Sequence, residues 1–343
     1  MSTLVIVGCG VMGRAYAETL LRSNLRWRTR LVGVCDSNPE AAEALARETG
    51  ARAFTDVAEM LRVTEPEAAY IAVPDHLHAD PFFACIEAGI PVLVEKPLST
   101  DPGTARAMRS ASIDAGVYAE CNFTNRSNPV FTTVKSAIDR GEVGEVIGIN
   151  SRLSNSIQYP TSLLRWAADT SSGWFLLSHV FDLTTWLTGA RAAEVTATGI
   201  RRVLKSRGVD TYDLIHALVR YDREMSGLYE SSWTLPDSLP SAVDFTFEVL
   251  GTDGAIYVDT SDQMVHVAGR TSYTKPGTNN WTEARLSQFL DHVEGSARPD
   301  DPLGEALDNT LLLVALHEAL ETGGAVAVAH RDDALLPTTL SER

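Results

Sequence analysis

Cysteine is scarce: there are four in 343 residues, Cys9, Cys35, Cys85 and Cys121, and no two form a Cys-x-x-Cys pair. That spacing excludes a disulfide framework and reads as reduced, small apolar side chains in a cytoplasmic protein. Basic charge is in deficit, with Lys+Arg 29 against Asp+Glu 45 and a net charge of −16. A chain this acidic repels phosphate backbones, so no nucleic acid is expected as a partner. No apolar run approaches the roughly 18 residues a membrane helix needs, so no membrane is expected either. The opening Met1-Ser2-Thr3 has no basic stretch ahead of Leu4-Val5-Ile6-Val7, which argues against a secretion signal. A Gly-x-Ser-x-Gly elbow, a P-loop and an EF-hand are all missing, which leaves hydrolase, nucleotide-triphosphatase and calcium readings without support. The remainder is globular in composition, 44% hydrophobic and 22% charged, and long enough for about two domains.

The first 120 residues alternate short apolar runs with helical stretches. Leu4–Val7, Leu31–Cys35, Ala68–Val73 and Pro91–Val94 read as strands buried on both faces. Between them Ala15–Leu21, Glu40–Glu48, Val57–Leu61 and Phe82–Ala88 have helical composition and period. Strand, helix, strand at this spacing implies βαβ units and a parallel sheet, an α/β domain over residues 1–122. From residue 123 to 343 the texture changes. Pro129–Arg140 reads as a helix, followed by longer strands at Glu145–Leu153, Glu194–Val203, Thr211–Tyr221, Gly227–Thr234, Ala242–Leu250 and Ala255–Asp259. Short turns between them suit an open, mainly antiparallel sheet, with helices over Trp174–Leu187 and Leu303–Leu320. The second domain is therefore α+β.

Gly8-Cys9-Gly10-Val11-Met12-Gly13 is a Gly-x-Gly-x-x-Gly fingerprint placed between an expected strand and an expected helix. Gly8 permits the tight turn, Gly10 lets backbone approach a pyrophosphate, and Gly13 lets helix and strand pack closely. The helix N-terminus at Val11 and Met12 offers free N–H groups to the phosphates. Asp36 ends the second strand, 23 residues after Gly13. A carboxylate there accepts from the ribose hydroxyls and repels a 2′-phosphate, so NAD is expected in preference to NADP. Asp36 could also cap the following helix.

Lys96 follows Val92-Leu93-Val94, at the C-terminal end of a strand, where doubly wound sheets bind their ligands. Neighbouring residues on a strand point to opposite faces, which weakens a pairing of Lys96 with Glu95. On a helix over Trp174–Leu187, Phe175, His179, Asp182 and Trp186 share one face, and Leu176, Val180, Leu183 and Leu187 form the adjacent core stripe. A lysine or a histidine can take the hydroxyl proton when hydride leaves a secondary alcohol. His76 and His78 have no third ligand nearby, so no metal is expected.

Three segments together resemble the Gfo/Idh/MocA family of sugar and cyclitol oxidoreductases: Ala72-Val73-Pro74-Asp75-His76-Leu77-His78, Glu95-Lys96-Pro97, and His179-Val180-Phe181-Asp182. Leu250-Gly251-Thr252-Asp253-Gly254-Ala255 and the stretch from Phe289 to Val326 extend the likeness to nearly the whole chain. The resemblance implies a Rossmann domain, a nicotinamide cofactor at the domain junction, and Lys96 and His179 flanking the carbon turned over. It implies a cofactor site that includes Pro74, His78 and Glu95, and a proline bond at Pro97 that is often cis in relatives. Asn125 and Arg126 match the family's substrate-side polar positions, and Tyr159 and Arg165 precede the helix of His179. Many relatives carry an aspartate four residues before that histidine; here the position is Phe175, beside Trp174. Asp182 is then the candidate group to orient the imidazole, and Trp174 and Phe175 imply an apolar wall.

The expected function is NAD-dependent hydride transfer at a secondary alcohol or ketone of a sugar, cyclitol or related polyol. Other uses of the scaffold are glycoside cleavage through transient oxidation, imine or enone reduction, and non-catalytic ligand sensing. Retention of both Lys96 and His179 argues against the last. Along Thr211–Tyr221, Ile215, Ala217, Val219 and Tyr221 alternate with Tyr212, Leu214, His216 and Leu218, so both faces look apolar. The helices can cover one face only. A homodimer or homotetramer through the other is expected, unless the segment after Asp259 covers it.

Overall fold

The computed structural model describes residues 1–238, 241–259, 264–268, 273–274 and 281–333. Strands β1 (Ser2–Val7), β2 (Thr29–Cys35), β3 (Arg52–Phe54), β4 (Ala68–Ile71), β5 (Val92–Val94) and β6 (Ala119–Cys121) form one sheet in the order β3-β2-β1-β4-β5-β6. All its pairings are parallel. This is the doubly wound order, and its direction reverses between β1 and β4, where such sheets bind ligands. Helices α1 (Val11–Arg22), α2 (Pro39–Thr49), α3 (Val57–Thr64), α4 (Ala79–Glu87) and α5 (Pro102–Ala115) connect the strands. Pattern reading locates β1, β2, β4, β5 and α1 to α4. It misses β3, which is too short for a period to register, and α5, whose buried stripe is only Ala105, Met108 and Ser112. Asp36 does not cap α2. Asn38 does, its side chain accepting from Glu40 N at 3.0 Å with Pro39 in the first turn.

The second unit comprises α6 (Pro129–Asp139), β7 (Val146–Ser156), α7 (Ser178–Thr188), β8 (Ala192–Ile200), the single turn α8 (Val203–Ser206), β9 (Leu214–Tyr221), β10 (Ser226–Leu235), β11 (Val243–Gly251), β12 (Ala255–Asp259), β13 (Met264–Ala268), β14 (Tyr273–Thr274), α9 (Trp281–Val293), α10 (Gly304–Thr322) and β15 (Val326–Ala327). Its strand order is β14-β13-β12-β11-β7-β10-β9-β8-β15. Every neighbouring pair is antiparallel except β7 and β10, which run parallel. A parallel pair needs a crossover, and the chain between β7 and β10 carries α7.

One face of this sheet is the core. Ile215, Val219, Tyr229 and Phe247 pack there against Phe131 of α6, Leu183 of α7 and Leu316 of α10. The opposite face differs from the expectation in two ways. Tyr212 lies ahead of β9, buried, with the Arg201 guanidinium 4.0 Å from its ring centre. The face itself is mixed rather than apolar: Leu218 and Leu228, register partners exposed by 54% and 53%, sit among exposed His216, Arg220 and half-buried Glu230. Residues 260–263, 269–272 and 275–280, the bulk of the segment after Asp259, lie outside the described residues.

The C-terminal helices tie the two units together. Leu286, Phe289 and Leu290 of α9 pack with Tyr16, Leu20 and Tyr118 on one side of the parallel sheet. Leu307 and Leu311 of α10 join the core on its other side, while Leu312, Leu313 and Leu316 enter the core of the second unit. Under α9 lies a buried charge cluster. Arg285 donates to Glu120 Oε1 at 3.1 Å and to the Cys121 carbonyl at 2.9 Å, and Tyr118 Oη donates to Glu120 Oε2 at 2.9 Å. Removing one partner of a buried ion pair leaves the other charge uncompensated. Arg285→Met is therefore expected to destabilise the protein by about 3–5 kcal/mol, read as a lower denaturant midpoint in equilibrium unfolding; an unchanged midpoint would show that the latch is solvated.

Candidate active site

The glycine-rich turn is built as its spacing implies. A Cβ on Gly13 would lie 1.9 Å from the Gly8 carbonyl oxygen, so only glycine allows α1 to start this close to β1. A Cβ on Gly10 would meet nothing within 4 Å, and no side chain caps α1. Val11 and Met12 are exposed by 63% and 39% at this uncapped terminus. Free N–H groups, an open glycine and uncovered apolar side chains together fit a dinucleotide pyrophosphate. Asp36 stands at the same edge. Its carboxylate accepts from Cys9 N at 2.8 Å and from Asn38 N at 2.9 Å, so it also pins the turn. A carboxylate has about four acceptor positions, which leaves capacity for ribose hydroxyls.

Lys96 is buried, 7% exposed; it lies two residues past the end of β5 and is followed by a cis bond to Pro97. The His78 ring lies between the carbonyls of Pro97, 2.8 Å away, and Val73, 3.1 Å away, at the meeting of the loops after β4 and β5, and when neutral donates to one of them. His76 is exposed, so the two histidines diverge. Pro74 introduces the 3₁₀ turn Asp75–Leu77. Glu95 does not reach outward. It accepts from Tyr70 Oη and from Asn122 Nδ2 at 2.6 Å, inside a buried network that includes Tyr16. Lys96 instead donates from Nζ to the Phe175 carbonyl at 2.9 Å, with its ammonium 4.3 Å from the centre of the Phe175 ring.

The helix expected over Trp174–Leu187 is two pieces, a π-helical turn at Gly173–Leu177 and then α7. The wider turn breaks the helical period between Phe175 and His179. His179 is half-buried, its Nδ1 buried with no partner. Burial, reinforced by the positive charge of Lys96, holds the imidazole well below the ordinary histidine range, so it is neutral at pH 7. Asp182 does not orient it. The Asp182 carboxylate is occupied by the Arg126 guanidinium, which also reaches Glu305 Oε2 at 2.6 Å. The same two pairs engage the Arg126 guanidinium with both α7 and α10. Asn125 is half-buried in the 3₁₀ turn Thr124–Ser127, and Arg165 is exposed. Trp174 turns toward α10, where its ring stacks on His317 at 4.7 Å. Tyr159 is half-buried, its ring centre 6.5 Å from that of Phe175.

Three residues at the junction escape the sequence reading. Trp166 and Trp233 place ring centres 6.2 and 5.7 Å from that of Phe175. Asp75 is buried, and its Oδ2 accepts from Thr170 Oγ1 at 3.2 Å, joining the loop after β4 to the segment before the π turn. Burial pushes its carboxyl up to about 6, against the opposing pull of Lys96 and the Thr170 hydrogen bond. Asp75 lies within the Pro74–His78 segment, but nothing in its spacing marks it as buried.

A doubly wound sheet with an open glycine-rich turn, joined to a second unit that supplies a neutral histidine beside a buried lysine, defines an NAD-binding oxidoreductase. Residues 3–123 match the model for the oxidoreductase family with an NAD-binding Rossmann fold, and residues 131–257 match the GFO/IDH/MocA C-terminal domain. The chain belongs to this GFO/IDH/MocA family. It is 29% identical to scyllo-inositol 2-dehydrogenase (NAD(+)) of Bacillus subtilis, over 74% of this chain and 73% of that protein. It is 31% identical to inositol 2-dehydrogenase 2 of Saccharopolyspora erythraea, a match that spans 57% of each chain. The solved scyllo-inositol dehydrogenase of Lactobacillus casei, with NAD(H) and scyllo-inositol bound, superposes with a TM-score of 0.81 at 20% identity, covering 95% of this chain and 99% of that one. Among the described residues, no helix is long and apolar enough to cross a membrane, and no group of three or more His, Cys, Asp or Glu could hold a metal ion.

The Asp75 carboxyl carries a pH signature. Its folded pKa of about 6 lies above the ordinary aspartate value of about 3.9, so it favours folding at low pH and that contribution is lost as pH rises through 6. Asp75→Asn keeps an acceptor for Thr170 and removes the titration. Its stability relative to the parent protein is expected to rise between pH 4 and pH 7, by roughly 3 kcal/mol at 1.36 kcal/mol per unit. Urea midpoints of both proteins across that range measure the difference; a constant difference would place the carboxyl in water.

Proposed function

We propose that this protein is an NAD-dependent dehydrogenase that oxidises a secondary carbinol of a sugar, cyclitol or related polyol, or reduces the corresponding ketone. The observation that carries this reading is the meeting of Lys96 and His179: a lysine at a Rossmann strand end, held against the turn that leads directly into the helix of His179. The names of the relatives support the substrate class. NAD, when bound, supplies the hydride acceptor. The Gly8–Gly13 turn and the N–H groups of α1 hold its pyrophosphate, and Asp36 its adenosine ribose. The Lys96 ammonium donates to the carbinol oxygen and stabilises the negative charge that develops on it. The His179 imidazole, kept neutral by burial, accepts the hydroxyl proton as the carbinol becomes a carbonyl. In the reducing direction both steps run backward.

Lys96→Met is expected to lower kcat/KM by about 10²–10⁴-fold while NAD affinity stays within about threefold. Steady-state formation of NADH with a panel of cyclitols and aldoses, alongside a cofactor titration, measures both. A loss under tenfold would move Lys96 out of the chemical step.

The outer sheet face supports self-association, with Leu214, Leu218, Leu228 and Tyr257 as its apolar members. The charges among them suit a second copy of the same face, because strands β9 and β10 carry both Arg220 and Glu230. A homodimer or homotetramer forms through it. The four free, buried cysteines support a reducing compartment, the cytoplasm. Light scattering of the parent protein is expected to give a multiple of 37.2 kDa, and Leu218→Glu to shift the mass toward one protomer; a monomeric parent protein would refute the interface.

A further inference from the structure

The wall beside Lys96 is aromatic. The Phe175 ring lies under the lysine ammonium, with the rings of Tyr159, Trp166 and Trp233 packed around it at 6.5, 6.2 and 5.7 Å and interplanar angles of 58–60°. Aromatic residues are only 7% of this chain, and two of its six tryptophans lie in this one cluster. Trp233 is fully buried and backs the cluster, whereas Tyr159, Trp166 and Phe175 are half-buried and keep open surface. The carboxylates nearest in sequence are engaged elsewhere, Glu95 with Tyr70 and Asn122, Asp182 with Arg126. A substrate whose carbinol meets Lys96 therefore also meets the Phe175 ring and the rings packed around it. Tilted rings with open faces favour another ring in an offset or edge-to-face arrangement.

We propose that the substrate carries an aromatic group adjacent to the carbinol that is turned over, as in an aryl glycoside, and that Tyr159, Trp166 and Phe175 form the subsite for that group. This rests on the dehydrogenase reading for its placement beside Lys96. Ring-on-ring packing excludes water from apolar surface on both partners, so the aryl group strengthens binding even where the sugar is not the natural one. A sugar offers a weaker version of the same contact through its own C–H face, so the test compares ligands that differ only in the aryl group.

The experiment measures the affinity of the protein with NADH bound, a state in which no alcohol is oxidised. The probes are matched phenyl and methyl glycosides of α- and β-glucose, galactose and mannose. At least one phenyl glycoside is expected to bind about tenfold more tightly than its methyl partner, and Trp166→Ala and Phe175→Leu are each expected to bring that ratio to within about threefold. Trp166 lies on the half-buried segment outside the sheet, so its variant separates loss of the subsite from loss of folding. Ratios within about threefold for every pair in the parent protein, or a ratio that survives both substitutions, would overturn the proposal. Turnover with NAD distinguishes this failure from failure of the dehydrogenase reading. Strong phenyl preference without NADH formation from any ligand or polyol keeps the aryl subsite and refutes the dehydrogenase. Equal NADH formation from phenyl and methyl partners with equal affinities does the reverse.

Discussion

A lysine ammonium buried at the end of a strand requires an acceptor, because an uncompensated charge taken out of water costs several kcal/mol even after relaxation. Lys96 is in that position, and no carboxylate forms an ion pair with it among the described residues. Its acceptor is a main-chain carbonyl from the other structural unit, that of Phe175. Much else in the molecule follows from this contact. The chain between β7 and α7 has to approach the C-terminal edge of the parallel sheet. The π turn at Gly173–Leu177 occurs where it does so, and His179 follows within two residues of that turn. The aromatic side chain of the same Phe175 supplies a second favourable surface for the ammonium.

The surrounding structure holds the two units in that arrangement from several sides. Arg126, just past the last strand of the parallel sheet, is shared by Asp182 of α7 and Glu305 of α10. Asp75 and Thr170 join the units from the cofactor side. The chain then returns to the first unit through α9, whose Arg285 compensates the buried Glu120. α10 contributes leucines to a core in each unit. Polar residues that look exposed and functional in a linear reading are in this way consumed as cross-links. Asp182 and Arg126 are each other's partners, while the His179 Nδ1 has none and burial keeps that imidazole neutral.

Some of these residues were legible in one dimension and others were not, for identifiable reasons. Gly8, Gly10 and Gly13 are constrained locally, by a turn and a helix start a few residues apart, so their spacing carries their function. Lys96 is legible because a strand end is a local property. The pairing of Asp182 with Arg126 spans 56 residues and that of Asp75 with Thr170 spans 95, distances over which no periodicity operates. Trp174 and Phe175 are adjacent in sequence, yet one ring stacks on His317 and the other lies under Lys96. The helical wheel drawn through them fails because five residues adopt the wider π turn, which a uniform period cannot represent.

The sequence by itself determined most of the parallel sheet with helices α1 to α4, the glycine-rich turn, the mainly antiparallel second sheet, and the family to which the chain belongs. These rest on interactions within about 30 residues, the reach of a βαβ unit, where hydrophobic period and glycine placement act directly. Tertiary structure decided the rest: which acceptor holds Lys96, which carboxylates are free, that β7 and β10 run parallel, and that Tyr212 turns inward while Leu218 faces out. Each of these depends on which distant segment fills the space beside a given side chain. Packing the two units against each other sets that choice, and the order of residues along the chain does not.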